Sequence, residues 1–209
     1  LPRFAVHGIY ANFGLLTWDT ARLYELIDLI ERTDHPVQII WAGKPFPFDH
    51  DAISVFNGLV RLSRKRRNIA VLTGYEIELS RQLKQGADVW LNTPVRPREA
   101  SGTSGMTAAM NGAVNFSIND GWIPEFARDG ENSFIIPVTE PGLSEHEQNE
   151  ADYQNLMSIL DQRILPLYYD EPHRWNDIVM ASMRDVTPAF DSDRMAREYY
   201  EKLYAAPAR

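Results

Sequence analysis

The amino-acid sequence predicts an α/β fold built on a doubly wound parallel sheet, with a helical C-terminal appendage. Two observations carry this. Short runs rich in β-branched residues alternate with longer amphipathic segments between residues 3 and 138, and that alternation calls for crossover helices joining parallel strands. Beyond residue 153 the apolar residues recur only at helical spacing, so the tail adds helices to a sheet that is already complete.

Each element follows in chain order. Residues 3–10 (RFAVHGIY) read as a buried strand, and residues 19–32 as a helix with Leu23, Leu26, Ile27 and Ile30 on one face. Residues 36–42 (PVQIIWA), closed by Gly43, give a second strand. A helix is expected over 49–64, a strand over 69–73, a helix over 76–85 and a short strand over 88–91. The turn at 92–98 (NTPVRPR) leads into Glu99-Ala-Ser-Gly-Thr-Ser-Gly, and residues 106–110 (MTAAM) open the next helix. Residues 113–118 form a strand, 119–132 (NDGWIPEFARDGEN) a long loop and 134–138 a last strand. The acidic stretch 140–149 reads as an exposed loop. In the tail, Leu156, Ile159, Leu160 and Ile164 lead up to Pro166, with further helices over 175–183 and 193–204. One sheet domain is expected over 1–150, with 151–209 as a helical segment packing on it.

Composition narrows the function. The chain has 209 residues, 44% hydrophobic and 24% charged, enough for a real core and without the bias of a disordered or fibrous protein. A net charge of −8 argues against nucleic acid or an anionic membrane as partner. The absence of cysteine removes disulfides, thiolate metal sites and cysteine nucleophiles, and no His/Asp/Glu cluster has metal-ligand spacing. No apolar run is long enough to span a membrane and no secretory leader is visible, so the expected location is cytoplasmic. The chain starts at Leu1 and runs at once into an apolar stretch, which suggests a fragment of a longer protein.

The polar, glycine-bearing loop around residues 99–105 lies at the carboxyl end of a strand and opens a helix. Open α/β sheets bind ligands at such places, and free amides at a helix start favour an anion. The wording of this loop goes further. Gly86-Ala-Asp-Val-Trp-Leu-Asn-Thr-Pro, then Arg96-Pro-Arg-Glu-Ala-Ser-Gly-Thr-Ser-Gly-Met, then Asn111-Gly112 and Asp120-Gly121-Trp122, resemble the C-terminal half of the α-glucan (glycogen or maltodextrin) phosphorylases. The turn Trp41-Ala-Gly-Lys44 and the pair Gly74-Tyr75 fit the same family in order and spacing.

The resemblance implies the Rossmann-like C-terminal domain of a two-domain GT-B glycosyltransferase, with its site between the halves. The N-terminal half would then be a missing partner, α-glucan or glucose the ligand, and a homo-oligomer a compatible state. It also implies roles: Glu99 bonds a glucose hydroxyl, and the backbone of Ala100, Ser101 and Gly102 lines the same sugar. Thr103 and the amides of Ser104 and Gly105 would hold the phosphate of pyridoxal phosphate (PLP), with Tyr75 beside the cofactor ring.

Two departures bear on activity. Thr107 stands where the family carries its PLP lysine, and a hydroxyl cannot form a Schiff base, so covalent attachment is not expected. The family's phosphate-binding cations are replaced at Val6, His7, Ala11, Asn12 and Phe13. Each fixed cation is worth roughly 3 kcal/mol in a water-excluded site, so ordinary phosphorolysis would be slowed by many powers of ten. Lys44 is the remaining candidate cation, although the resemblance makes its position part of a structural turn, and no catalytic residue is assigned. Among the aromatics, Trp90 reads as core and Trp122, in a polar loop, as a sugar-stacking candidate. His7 reads as a core histidine, Arg64–Arg67 as a solvated helix end and Asp191 and Asp193 as a helix cap.

Overall fold

Six strands align in parallel: β1 (Phe4–Ile9), β2 (Val37–Ala42), β3 (Ile69–Leu72), β4 (Val89–Asn92), β5 (Val114–Ile118) and β6 (Ser133–Ile136). This computed structural model describes residues 4–9, 20–32, 34–94, 102–137 and 142–205. The strand order is β3-β2-β1-β4-β5-β6, the doubly wound arrangement expected from the sequence. The chain moves outward from β1 to β3, then crosses to β4 on the other side of β1. Val6 of β1 is in register with Ile39 of β2 and with Val89 of β4. The sheet therefore switches direction beside β1, at the carboxyl ends of β1 and β4. All five residues of β5 are buried, as a strand covered on both faces must be.

The crossovers are α1 (Thr20–Ile30), α2 (His50–Ser63), α3 (Ile77–Gly86) and α4 (Thr103–Met110). α2 starts where Asp49 accepts from the Ala52 amide at 2.9 Å. Between β5 and β6 the segment expected as a continuous loop contains a short helix, α5 (Ile123–Phe126). Pro124 suits the first turn of a helix, where its missing N–H has no partner to lose.

The acidic stretch is likewise not all loop, because α6 (Glu145–Ile159) begins within it. Ser144 and Glu147 form a reciprocal capping box, and acids in the first turn suit the helix dipole. Position 150 consequently falls inside a helix. A π turn (Leu160–Ile164) joins α6 to α7 (Leu165–Asp170). Pro166 cannot donate to the carbonyl four residues back, and widening the preceding turn lets the chain pass it without breaking. α8 (Pro172–Phe190) and α9 (Ser192–Tyr199) follow, and a second π turn covers Tyr200–Tyr204.

The tail shares the core of the sheet. Leu26, Ile30, Ile39, Trp41, Phe116 and Phe134 form one buried cluster with Tyr153, Leu156, Ile164 and Trp175. The Tyr153 hydroxyl is 2.9 Å from the Arg22 carbonyl and 2.8 Å from Glu25, fastening α6 to α1. A smaller cluster holds Trp122 against Ala109, Ile123 and Val186, with Phe126 and Phe190 packed on it. Trp122 is only 7% exposed, so it is a core residue and not a sugar platform. Trp90, at 0% exposed, is core as expected.

Candidate functional site

The switch point beside β1 is the natural ligand edge of such a sheet. Of the expected glucose-binding residues, Glu99, Ala100 and Ser101 lie outside the described residues, as do Ala11, Asn12 and Phe13. Val6 and His7 are placed by their backbone in β1, paired with strands on both sides.

Gly102 caps α4 in the left-handed region, at φ 75°. A Cβ there would stand 2.6 Å from Trp122 Cδ1, so the turn needs glycine for both conformation and space. The helix begins at Thr103, three residues earlier than the sequence suggests, and Thr103 to Gly105 are its first turn. Thr103 is exposed and Ser104 half-buried. Gly105 is buried: its amide donates to the Gly102 carbonyl at 3.1 Å and its carbonyl accepts from Asn115 Nδ2 at 3.0 Å.

Tyr75 and Thr107, expected beside one cofactor, do line one hollow, of about 560 Å3, together with Glu76, Ile77, Ser80, Arg81, Lys84 and Asn111. Thr103, Ser104 and Gly105 are not part of its wall. The Tyr75 hydroxyl is pinned to Ser80 Oγ at 2.9 Å. Thr107 Oγ1 lies 3.1 Å from the carbonyls of both Thr103 and Ser104, so its proton is held within its own helix. Asn111 Nδ2 donates to the Thr107 carbonyl at 2.7 Å. Arg81 is clamped by Glu78, whose carboxyl is held down to about 2 by hydrogen bonds from Arg81 and Gln82.

Lys44 points to Glu76 and is neutralised by it, tying the turn after β2 to the start of α3. The sequence reading missed Lys84. Burial pushes its amine below the ordinary lysine range. The signal was present in the spacing: Ile77, Ser80, Arg81 and Lys84 fall at helical intervals on one face. Among the described residues there is no cluster of three or more potential metal ligands, and no helix is long and apolar enough to cross a membrane.

Sheet order and glycine-capped helix together define a doubly wound α/β domain, a fold that takes its ligands at the carboxyl ends of the strands. No protein-family model matches the chain. By sequence it is a relative of the α-glucan phosphorylases. It is 36% identical over 208 residues to a glycogen phosphorylase of Mycobacterium tuberculosis, covering 96% of this chain and 24% of that protein. Against a maltodextrin phosphorylase of Thermococcus litoralis the figures are 34% over 206 residues, 97% of this chain and 24% of the other. An uncharacterized protein of Methanocaldococcus jannaschii is 41% identical over 196 residues, which is 93% of this chain and 35% of that one. The chain thus spans a quarter to a third of the length of these relatives.

PLP, the cofactor the resemblance implies, does not fit as a Schiff base at position 107. That position offers a hydroxyl already bonded to its own helix, in place of an amine.

Proposed function

We propose that the chain is a phosphorylase-like glycosyltransferase domain that binds α-glucan through the loop beginning at Glu99 and carries no covalent PLP. The observation that carries this reading is the state of Thr107, a bonded hydroxyl where attachment would require an amine. The glucose loop keeps its Glu-Ala-Ser-Gly wording while the cofactor position does not. A carboxylate accepting from vicinal hydroxyls needs no cofactor, so glucan binding can outlast phosphorolysis.

A second reading is an active phosphorylase segment completed by the rest of a longer chain, and the 34–36% identity to glycogen and maltodextrin phosphorylases favours it. The two separate in one experiment. Glucose 1-phosphate formation from maltodextrin is measured with a phosphorylase N-terminal half supplied, alongside maltoheptaose binding by calorimetry. The expected result is binding that Glu99→Ala weakens at least tenfold (about 1.4 kcal/mol), and no phosphorolysis. Thr107→Lys is expected to gain a borohydride-reducible PLP adduct yet little turnover, because residues acting as one electrostatic unit do not recover singly. Turnover by the unmodified chain sinks the proposal in favour of the second reading.

A further inference from the structure

Gly102 is the described member of the expected sugar-lining set, and what holds it in place lies outside that set. With no side chain and a φ of 75°, its backbone has wide freedom of its own. The three atoms nearest to a Cβ built on it all belong to Trp122: Cδ1 at 2.6 Å, Nε1 at 3.1 Å and Cγ at 3.8 Å. The same indole comes within 3.4 Å of the corresponding point on Gly105. Both glycines of the Gly102-Thr-Ser-Gly105 turn therefore lie against one ring. That ring is itself fixed, because Trp122 heads α5 and is packed among Ala109 of α4, Ile123 and Phe126 of α5, and Val186 and Phe190 of α8. Close-packed contacts of this kind transmit position. The indole Nε1–H is buried without a hydrogen-bond partner, so what the side chain supplies here is ring shape and not a polar bond.

We propose that Trp122 is a positioning residue for glucan binding: its ring fixes the turn at Gly102, and α8 of the helical tail thereby supports the sugar-lining backbone. The inference deepens the glucan reading and rests on it. Trp122 does not touch the sugar, being core, and acts through Gly102. A binding group is held to its working geometry only when the residues behind it are locked by packing. Here the lock is a ring that meets Gly102 and Gly105 on one side and Val186 and Phe190 of the tail on the other. A shorter aliphatic side chain leaves one of these contacts empty.

The test measures maltoheptaose affinity of the whole chain by calorimetry, beside its thermal melt, for Trp122→Leu, Trp122→Phe, Gly102→Ala and the double variant Trp122→Leu/Gly102→Ala. Trp122→Leu is expected to weaken binding by the folded chain about tenfold. Trp122→Phe, which keeps a ring beside Gly102 and removes the unmet donor, should bind within about twofold of the parent. Gly102→Ala pushes a side chain against the ring and should weaken binding about tenfold as well. Because both changes act on one contact, the double variant should bind no more weakly than the weaker single one. Should Trp122→Leu not fold, Gly102→Ala carries the measurement, since it leaves the cluster around Trp122 closed. Parent-like affinity in Trp122→Leu or Gly102→Ala, whatever the melt, would overturn the proposal, as would additive losses or a Trp122→Phe variant as weak as Trp122→Leu. A parent that does not bind maltoheptaose would instead remove the glucan reading itself, and this inference with it.

Discussion

Gly105 illustrates how one residue can be legible in type and hidden in duty. Within a helix, alanine is normally favoured over glycine by about 1 kcal/mol. At this position a Cβ would stand 2.6 Å from Asn115 Oδ1. Asn115 is 1% exposed and its amide nitrogen is bonded to the Gly105 carbonyl, so it cannot move aside without breaking that bond. Gly105→Ala is therefore expected to lose about 1–3 kcal/mol of stability, read as a lower urea midpoint. Gly86→Ala, where an added Cβ meets nothing within 4 Å, should be neutral or slightly stabilising. Equal midpoints for the two variants would show that the Asn115 contact yields. The sequence announces that glycine is wanted here, but the partner that demands it lies ten residues further on. Trp122 shows the converse error. Its polar neighbours suggest a surface residue, yet Phe126 and Phe190 close over it, with ring centroids 6.3 and 5.4 Å away.

At the scale of elements, the loop after α5 is held to α8 by one carboxylate. Asp185 accepts from Asn132 Nδ2 at 3.0 Å, Arg128 Nη2 at 2.5 Å and Arg184 Nε at 3.1 Å. These bonds, Asn132 first, lower its carboxyl from 3.8 to about 2. A carboxyl lowered by folding stabilises the native state fully above its unfolded value, and that contribution disappears as the pH falls through the folded one. The expected loss, on the order of 2 kcal/mol, falls between about pH 4 and pH 2. Asp185→Asn should be less stable than the parent at neutral pH, and the gap should close over that window, as followed by thermal melts. A gap independent of pH would assign the effect to packing. Strands and crossover helices were readable because branched runs and one-sided helices each have a distinct period. The misread ends share another cause: α6 is started by its cap against an acidic composition, and α7 continues through Pro166 because a π turn absorbs the missing bond.

For the whole molecule, the sequence foretells a sheet with helices laid on it, and the question is how far the tail is separable. Two cuts give opposite expectations. The apolar faces of α6 to α8 supply Tyr153, Leu156, Ile164, Leu165 and Trp175 to the same buried cluster as Ile39, Phe116 and Phe134. Each large apolar side chain left unburied forfeits about 1.5–3 kcal/mol, so the loss of all five is as large as the roughly 5–15 kcal/mol that holds a typical domain. Truncation after residue 150, where the sequence suggests a boundary, should give a chain that does not melt cooperatively. α9 buries no residue, and Met195, Tyr199 and Leu203 are all exposed. Truncation after Phe190 should then keep a cooperative transition within a few degrees of the parent, measured by circular dichroism. A cooperative melt for residues 1–150 would instead make the sheet a domain in its own right and 151–209 an addition to it.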